Sequence, residues 1–303
     1  MYVFYRRKIL LALIQLFDGQ LDKIRLQKLL FLFTLKQAKT EYDFVPYKYG
    51  CYSYSANADL TTMVSKGLLA ESQKHFALPA WQAGKLDKTD YLKLVKPEDL
   101  KHLRQIKTEY GRMSTNTLIK HTYINYPFYA TRSEVAIKIL DKSELEKVKA
   151  AKPNGTKTVL FTIGYEGISL EEYLVRLLKN DVKVLVDVRN NPLSMKYGFS
   201  KTLLKRYCES LGIKYVHIPE VGIQSDQRQE LNTQADYDKL FAIYRNQNLT
   251  KTTKAQAGIL NLLKENKRIA LTCFEANICK CHRKHLAEAI KTLPGFEYKV
   301  EHI

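Results

Sequence analysis

The sequence lacks the uninterrupted apolar run of about eighteen or more residues that a membrane-spanning helix needs. Its first residues lead into a charged, helix-like segment without the small-residue cleavage site of a secretory signal. Cysteine is scarce: there are five, an odd number, and three of them crowd into residues 273–281 without the spacing of a disulfide scaffold. These absences predict a soluble cytoplasmic protein with reduced thiols and no membrane partner.

The sequence also lacks an internal repeat, a low-complexity tract and the Gly-x-Gly-x-x-Gly fingerprint of dinucleotide-binding proteins. A repeat protein and a dinucleotide-dependent enzyme are therefore disfavoured. We expect no cofactor.

Acidic residues are few relative to basic ones. The chain has 303 residues with 49 Lys+Arg against 31 Asp+Glu, a net charge of +18. Residues 1–157 hold 27 basic and 15 acidic residues, a net of +12, and residues 158–303 hold 22 and 16, a net of +6. An excess of this size predicts a polyanionic partner, DNA, bound through its phosphates. The alternative is a lysine-rich surface that only keeps the protein soluble.

The length fits two domains. In the first half, apolar residues at three- and four-residue steps predict helices over 5–17, 21–36, 56–66 and 97–110, with a buried aromatic segment at 117–129. The aromatic, Pro- and Gly-containing residues 42–53 are not helical. The order predicts a mainly helical, winged-helix-like domain over 1–142, followed by a linker over 143–157.

Three short motifs in this domain, residues 26–31, 46–50 and 59–69, resemble the N-terminal part of the SocA/Panacea antitoxin-like domains. The resemblance covers roughly the first 70 residues. It implies a helical domain that contacts protein or nucleic acid and carries no chemistry of its own.

The second half alternates strands and helices. Strands are predicted over residues 159–163, 183–188, 214–218, 268–274 and 298–302. Helices are predicted near residues 170–180, 201–211, 237–246, 255–264 and 281–292. This alternation predicts an α/β catalytic domain over 158–303, Rossmann-like and three-layered, with a mostly parallel sheet. In such a sheet, ligands bind at the carboxyl ends of neighbouring strands.

Polar residues follow the first two predicted strands of that sheet. Tyr165 and Glu166 lie between two glycines that let the backbone approach a ligand, although the segment could be only a tight turn. Asp187 and Arg189 end the second strand and, two residues apart, point to the same face. They are candidates for catalysis and for substrate binding, and the alternative is a structural ion pair.

The turn after that strand supplies two further candidates. Asn190 and Ser194 are predicted to contact the substrate. Ser194 could instead cap a turn.

The fourth predicted strand delivers Glu275, whose partial desolvation would suit a general acid or base. Cys281, His282 and Arg283 then open a helix, whose N-terminal amides favour negative charge. We expect them to bind substrate. Cys281 as a nucleophile with a lowered pKa is an alternative.

A zinc site is the other alternative for this segment. It would use Cys273, Cys279 and Cys281 with His282 or His285, but the spacings do not match a zinc knuckle. The sequence therefore predicts no metal site.

These residues carry a resemblance. Residues 162–165, 185–194, 212–215, 218–219, 273–275 and 281–283 are similar, in order, to the successive signatures of the domain-of-unknown-function family DUF488. The resemblance spans nearly all of 158–303. It implies that Asp187, Arg189, Ser194, Glu275 and residues 281–283 line one site. Residues 219–224 depart from the family's glycine-rich pattern.

Two carboxylates with Arg, His and hydroxyl groups fit cleavage of an N-glycosidic bond, whose oxocarbenium-like transition state a carboxylate stabilises. We therefore expect a metal-independent DNA glycosylase that flips a base, ordinary or modified, out of double-stranded DNA, with Asp187 and Glu275 as catalytic residues. A bacterial anti-phage setting would suit the antitoxin-like domain. The alternatives are a metal-dependent nuclease and a non-catalytic nucleotide or nucleic-acid sensor.

Overall fold

The computed structural model describes residues 3–71, 75–77, 89–224, 227 and 231–303. The chain divides into two compact units, Met1–Lys152 and Pro153–Ile303. No helix in the described ranges combines the length and the apolar character that crossing a bilayer requires.

The first unit is mainly helical. Its helices are α1 Tyr5–Leu16, α2 Lys23–Thr34, α3 Tyr54–Ser65, α4 Pro97–Tyr110, α5 Thr115–Asn125, α6 Pro127–Ala130, α7 Ala136–Ile139 and α8 Lys142–Ala150. Its strands are β1 Gln20–Asp22, β2 Val45–Tyr47, β3 Gly50–Tyr52, β4 Ala70–Glu71 and β5 His75–Ala77. Three of these strands pair antiparallel in the order β1-β5-β4, with α1 before β1 and with α2 and α3 before β4. The winged-helix interpretation of this unit stays a prediction. An antiparallel pair, β2–β3, occupies the segment predicted to be non-helical.

The predicted linker 143–157 begins as a helix. Asp141 and Glu144 form a reciprocal capping box that starts α8, and Val148 on that helix is buried in an apolar cluster of the first unit. The division between the units falls after Lys152. The lysine- and alanine-rich segment that was predicted to be a linker therefore forms most of α8, the last helix of the first unit. The connection between the units is shorter than predicted.

The second unit is an α/β domain. Its strands are β6 Val159–Gly164, β7 Val184–Asp187, β8 Lys214–His217, β9 Arg268–Cys273 and β10 Lys299–His302. Its helices are α9 Leu170–Lys179, α10 Lys201–Ser210, α11 Gln234–Ile243, α12 Thr253–Asn266 and α13 His282–Lys291. All neighbouring strands pair in parallel, in the order β10-β6-β9-β7-β8. The predicted α/β fold is confirmed.

The strand order decides where a site can form. β9 lies between β6 and β7, and every residue of β6 and β7 is buried, as expected for central parallel strands. The carboxyl ends of β6, β9 and β7 are therefore neighbours, although β9 is far from the other two in sequence. The segments that follow these three strands are those that the sequence analysis selected.

Candidate functional site

A cavity of about 330 Å³ lies at the carboxyl ends of the three central strands. Its wall combines aromatic, amide, hydroxyl, thiol and apolar side chains with one guanidinium. The lining residues are Tyr165, Arg189, Asn190, Asn191, Leu193, Ser194, Ile223, Cys273 and Phe274. This volume lies at the lower end of the roughly 300–1,000 Å³ of small-molecule sites.

Asp187 and Arg189 form a buried ion pair beside the cavity. Asp187 is fully buried, and its Oδ1 accepts hydrogen bonds from the backbone amide and the Nε of Arg189, at 3.1 and 2.8 Å. Its Oδ2 accepts from the Nη2 of Arg189 at 2.5 Å and from the hydroxyl of Tyr215 at 2.6 Å. Both carboxylate oxygens are therefore occupied by protein donors.

Arg189 also donates hydrogen bonds to residues outside the ion pair, including Tyr165, which follows β6. Its Nη1 donates to the Tyr165 hydroxyl at 2.8 Å and to the Phe199 carbonyl at 2.9 Å. The Tyr165 ring stacks on that of Phe199, with centroids 4.2 Å apart. Burial alone would lower the pKa of Arg189, but the hydrogen bond and the charge of Asp187, together with Tyr165, outweigh it, and the pKa lies above its ordinary value. The guanidinium is charged, and its charge is neutralised by its own partner.

This arrangement differs from the expectation that Asp187 faces a substrate. The carboxylate does lie on the same face as Arg189, as predicted, but β7 buries it completely. Tyr215, which the sequence analysis did not select, closes its remaining side, and burial together with the charge of Asp187 raises the pKa of that hydroxyl, so Tyr215 stays a donor. The structural ion pair that the sequence left as an alternative is what the geometry contains.

Glu275 lies on the segment that leaves β9, and its side chain is half-buried. Its Oε2 lies 3.2 Å from the Sγ of Cys273, which lines the cavity. The backbone at Glu275 approaches the end of β6 so closely that a Cβ on Gly164 would fall 1.9 Å from the Glu275 carbonyl oxygen. Glycine is therefore required at position 164 for the turn that carries Glu275 to sit where it does.

Arg283 holds this turn from the other side. Its Nη1 donates to the Glu275 carbonyl at 2.5 Å and its Nη2 to the Ala276 carbonyl at 3.2 Å. The side chain is 2% exposed and does not line the cavity. Arg283 was expected to bind substrate, but the structure assigns its guanidinium to the backbone, because the first turn of α13 packs under the segment after β9.

Glu166 also acts on this turn. Its Oε2 accepts a hydrogen bond from the backbone amide of Ala276 at 3.0 Å, and its own amide donates to the Phe274 carbonyl at 2.9 Å. Its side chain is exposed and lies outside the cavity wall. The predicted Tyr165–Glu166 segment thus divides: Tyr165 lines the cavity, and Glu166 joins the ends of β6 and β9.

Cys273, Cys281 and His282 come together beneath the cavity. All three are buried, and the two sulfurs and one imidazole nitrogen lie within 4.8 Å of one another. Burial raises the pKa of the Cys281 thiol well above its usual value, which is the opposite of the lowered pKa expected at a helix start. Burial outweighs the helix terminus and the neighbouring Arg283, so Cys281 does not have the character of an activated nucleophile.

Four of the residues predicted to bind substrate line the cavity: Tyr165, Arg189, Asn190 and Ser194. Of these, Asn190 also donates to the Pro219 carbonyl at 3.3 Å, and the Ser194 hydroxyl accepts the amide of Lys196 at 3.2 Å. Asn191, Leu193 and Phe274 were not selected, although they lie within the motifs quoted above. These three residues follow buried strands, and that position in the sequence could have identified them as cavity residues.

The segment 219–224, which departs from the DUF488 pattern, belongs to the cavity wall through Ile223. Gly222 packs against the turn after β7, since a Cβ there would fall 2.3 Å from the amide nitrogen of Asn190. This glycine lets the segment after β8 reach the cavity.

Comparison with known proteins supports the resemblance of the second unit. Curated proteins gave no match to the chain. A family model matches residues 169–290, within the second unit, and the first 70 residues lie outside the match, so their resemblance to SocA/Panacea domains stays a prediction. By this match, the part of the chain that supplies every lining residue of the cavity except Tyr165 is similar to the family described as domain of unknown function DUF488.

Proposed function

We propose that the second unit binds a nucleobase of DNA in its cavity and hydrolyses the N-glycosidic bond of that nucleotide, with Glu275 as the reacting carboxylate. The observation that carries the proposal is a half-buried carboxylate adjoining a cavity whose wall presents amides and aromatic rings. A family of unknown function supplies no reaction, so the proposal rests on the chemistry of this wall.

The lining suits a neutral, planar occupant. The amides of Asn190 and Asn191 offer both donors and acceptors, which is what the hydrogen-bonding edge of a base requires. The ring of Phe274 is 42% exposed and presents a stacking surface. Among the lining residues the charged group is Arg189, and Asp187 already neutralises it. A phosphate would therefore find little uncompensated positive charge on this wall.

The proposed chemistry uses Glu275 and leaves Asp187 as a positioning residue. Loss of the base develops positive charge on the sugar, and a nearby carboxylate stabilises that charge and accepts a proton from the attacking water. The electrons of the broken glycosidic bond leave with the base, which the amides hold. The proton that Glu275 took from the water then passes to the base. Asp187 acts through Arg189, which fixes the Tyr165 wall of the cavity.

DNA would be held by the basic first unit. In helix-turn-helix proteins the recognition helix enters the major groove. Here α3, the helix before the β4–β5 hairpin, contains no Lys or Arg, and its Asp59 pairs with Arg6 and Arg7. The positive charge of this unit therefore lies on other elements, and we propose that it contacts phosphates and leaves base recognition to the cavity.

The experiment that tests this proposal uses duplex and single-stranded DNA with ordinary and modified bases. The expected product is free base, detected by mass spectrometry, with strand breaks that appear only after alkali. Direct strand cleavage that depends on Mg²⁺ would replace the proposal with a nuclease. Tight binding with every glycosidic and phosphodiester bond left intact would replace it with a sensor.

A further inference from the structure

Cys273, Cys281 and His282, the three side chains under the cavity, carry atoms that can bind a metal ion, and the proposed reaction does not use them. Cys273 ends β9, Cys281 immediately precedes α13, and His282 is the first residue of that helix. Each is at most 1% exposed, and their ligand-type atoms lie within 4.8 Å of one another. Thiolates and an imidazole in this number are the donor set of zinc sites.

We propose that Cys273, Cys281 and His282 bind one zinc ion at the floor of the cavity. Two ligands of a tetrahedral zinc ion, with Zn–S of ~2.3 Å and Zn–N of ~2.1 Å, lie about 3.6 Å apart. The Sγ of Cys273 is 3.6 Å from the Nδ1 of His282. These two atoms are therefore already far enough apart to bind one zinc ion, without rearrangement of either residue.

The orientation of His282 supports a ligand role. Its Nε2 lies 3.2 Å from the carbonyl oxygen of Val188 and must donate there, because a carbonyl only accepts. The proton is then on Nε2, and the lone pair of Nδ1 points toward the sulfur cluster. Metal-binding histidines are fixed in this way, by a hydrogen bond from the other ring nitrogen to a carbonyl or carboxylate.

Three protein ligands leave the fourth position of a tetrahedral ion open, as in catalytic zinc sites. The carboxylate of Glu275 adjoins the set through its 3.2 Å contact with Cys273, and Cys273 lines the cavity. Through Cys273, the proposed ion would therefore be close to both Glu275 and the cavity. This inference goes beyond the proposed function, since an ion can bind here whichever bond the protein cleaves.

The same thiols could instead form a disulfide between Cys273 and Cys281. A disulfide would make no use of the imidazole, whose fixed tautomer is the specific feature of the cluster. We therefore favour the ion and treat the disulfide as an outcome of the test.

The test measures metal directly. Full-length protein, purified under reducing conditions without chelator, is analysed by elemental mass spectrometry and is expected to contain one zinc per chain. The Cys281→Ser variant is expected to lose it, while Cys279→Ser keeps it, because Cys279 is exposed and lies outside the cluster. Because loss of even an outer-shell partner costs roughly 10–100-fold in metal affinity, loss of a direct ligand is expected to weaken zinc binding more than ~100-fold.

Cobalt(II) gives a readout that does not depend on activity or on the variants folding. Wild-type protein freed of metal and then loaded with cobalt(II) is expected to show the thiolate charge-transfer band and the d–d bands of a tetrahedral site. A folded wild-type protein that takes up neither zinc nor cobalt, or that carries a Cys273–Cys281 disulfide when purified without reductant, would overturn the proposal. Equal loss of zinc from the Cys281 and Cys279 variants would also overturn it.

Discussion

Replacing Arg189 with methionine removes the partner of a fully buried carboxylate. Asp187 would keep the backbone amide of residue 189 and the Tyr215 hydroxyl, and would lose the two guanidinium contacts. We therefore expect a loss at the lower end of the ~3–5 kcal/mol that breaking a buried pair costs. For a domain of this size, at about 2–4 °C per kcal/mol, the melting temperature of the second unit falls by about 6–12 °C.

The assay has to follow the second unit separately. The single tryptophan of the chain is at position 81, outside residues 153–303, so its fluorescence cannot follow the second unit. Scanning calorimetry of the full chain, with hydrogen exchange on peptides from residues 153–303, follows the second unit. The wild-type protein and the variant are compared at the same protein concentration and pH.

Arg176→Met is the matched control. Arg176 pairs with Glu172 at 2.6 Å, but these side chains are 42% and 43% exposed, so the loss should stay within about 1 kcal/mol. Adding Asp187→Asn to Arg189→Met should recover part of the stability, because no uncompensated charge remains. An Arg189→Met variant no less stable than Arg176→Met would refute the structural role of the buried pair.

Three further outcomes follow from the structure. Gly164→Ala should reduce base release although residue 164 does not touch the substrate, because the added Cβ would collide with the Glu275 carbonyl. Gly258→Ala is the control and should leave activity intact, because nothing lies near its Cβ. Equal activities of the two variants would contradict the positioning of Glu275 by this turn. Burial lowers the pKa of Lys28 from its ordinary 10.5 in the folded protein. As the pH rises, the folded protein therefore loses this proton before the unfolded chain does, and the free energy of unfolding of the wild type increases. Urea unfolding at a series of rising pH values below 10.5, the ordinary pKa of lysine, should show that gain relative to Lys28→Met, and a constant difference would argue against it. DNA binding, if it runs through phosphates, should weaken steeply in a salt series with a log–log slope of about −0.9 per phosphate contacted on duplex DNA, and a flat response would remove the polyanion assignment.

The sequence predicts the elements of the second unit well because buried parallel strands are short apolar runs with clear ends. The position of β9 between β6 and β7 could not be read from the sequence, because strand order depends on crossovers between distant segments. The sequence nevertheless placed candidate residues at all three strand ends, and four of them line the cavity. The α8 helix had a local signal, the Asp141…Glu144 capping box, that its lysine-rich composition obscured.

Side-chain direction was harder to predict than position. The sequence placed Asp187 and Arg283 at the site, but burial depth and packing turn them toward protein partners. The zinc alternative was set aside because spacing rules describe ligands from one hairpin, whereas Cys273 ends a strand and Cys281 immediately precedes a helix. Such a set is assembled by the fold and leaves no regular spacing.

The most direct test of the account is the rate of base release by Glu275→Gln on the DNA substrate that the wild type cleaves. The substitution keeps the size of the side chain and removes its charge, so we expect a fall of about 10²–10⁴-fold, typical of losing a general acid or base, with DNA affinity unchanged. Glu209→Gln, which alters an exposed carboxylate on α10, is the control and should keep wild-type activity. Base release by Glu275→Gln at the wild-type rate would contradict the assignment of the reacting carboxylate and with it the proposed site.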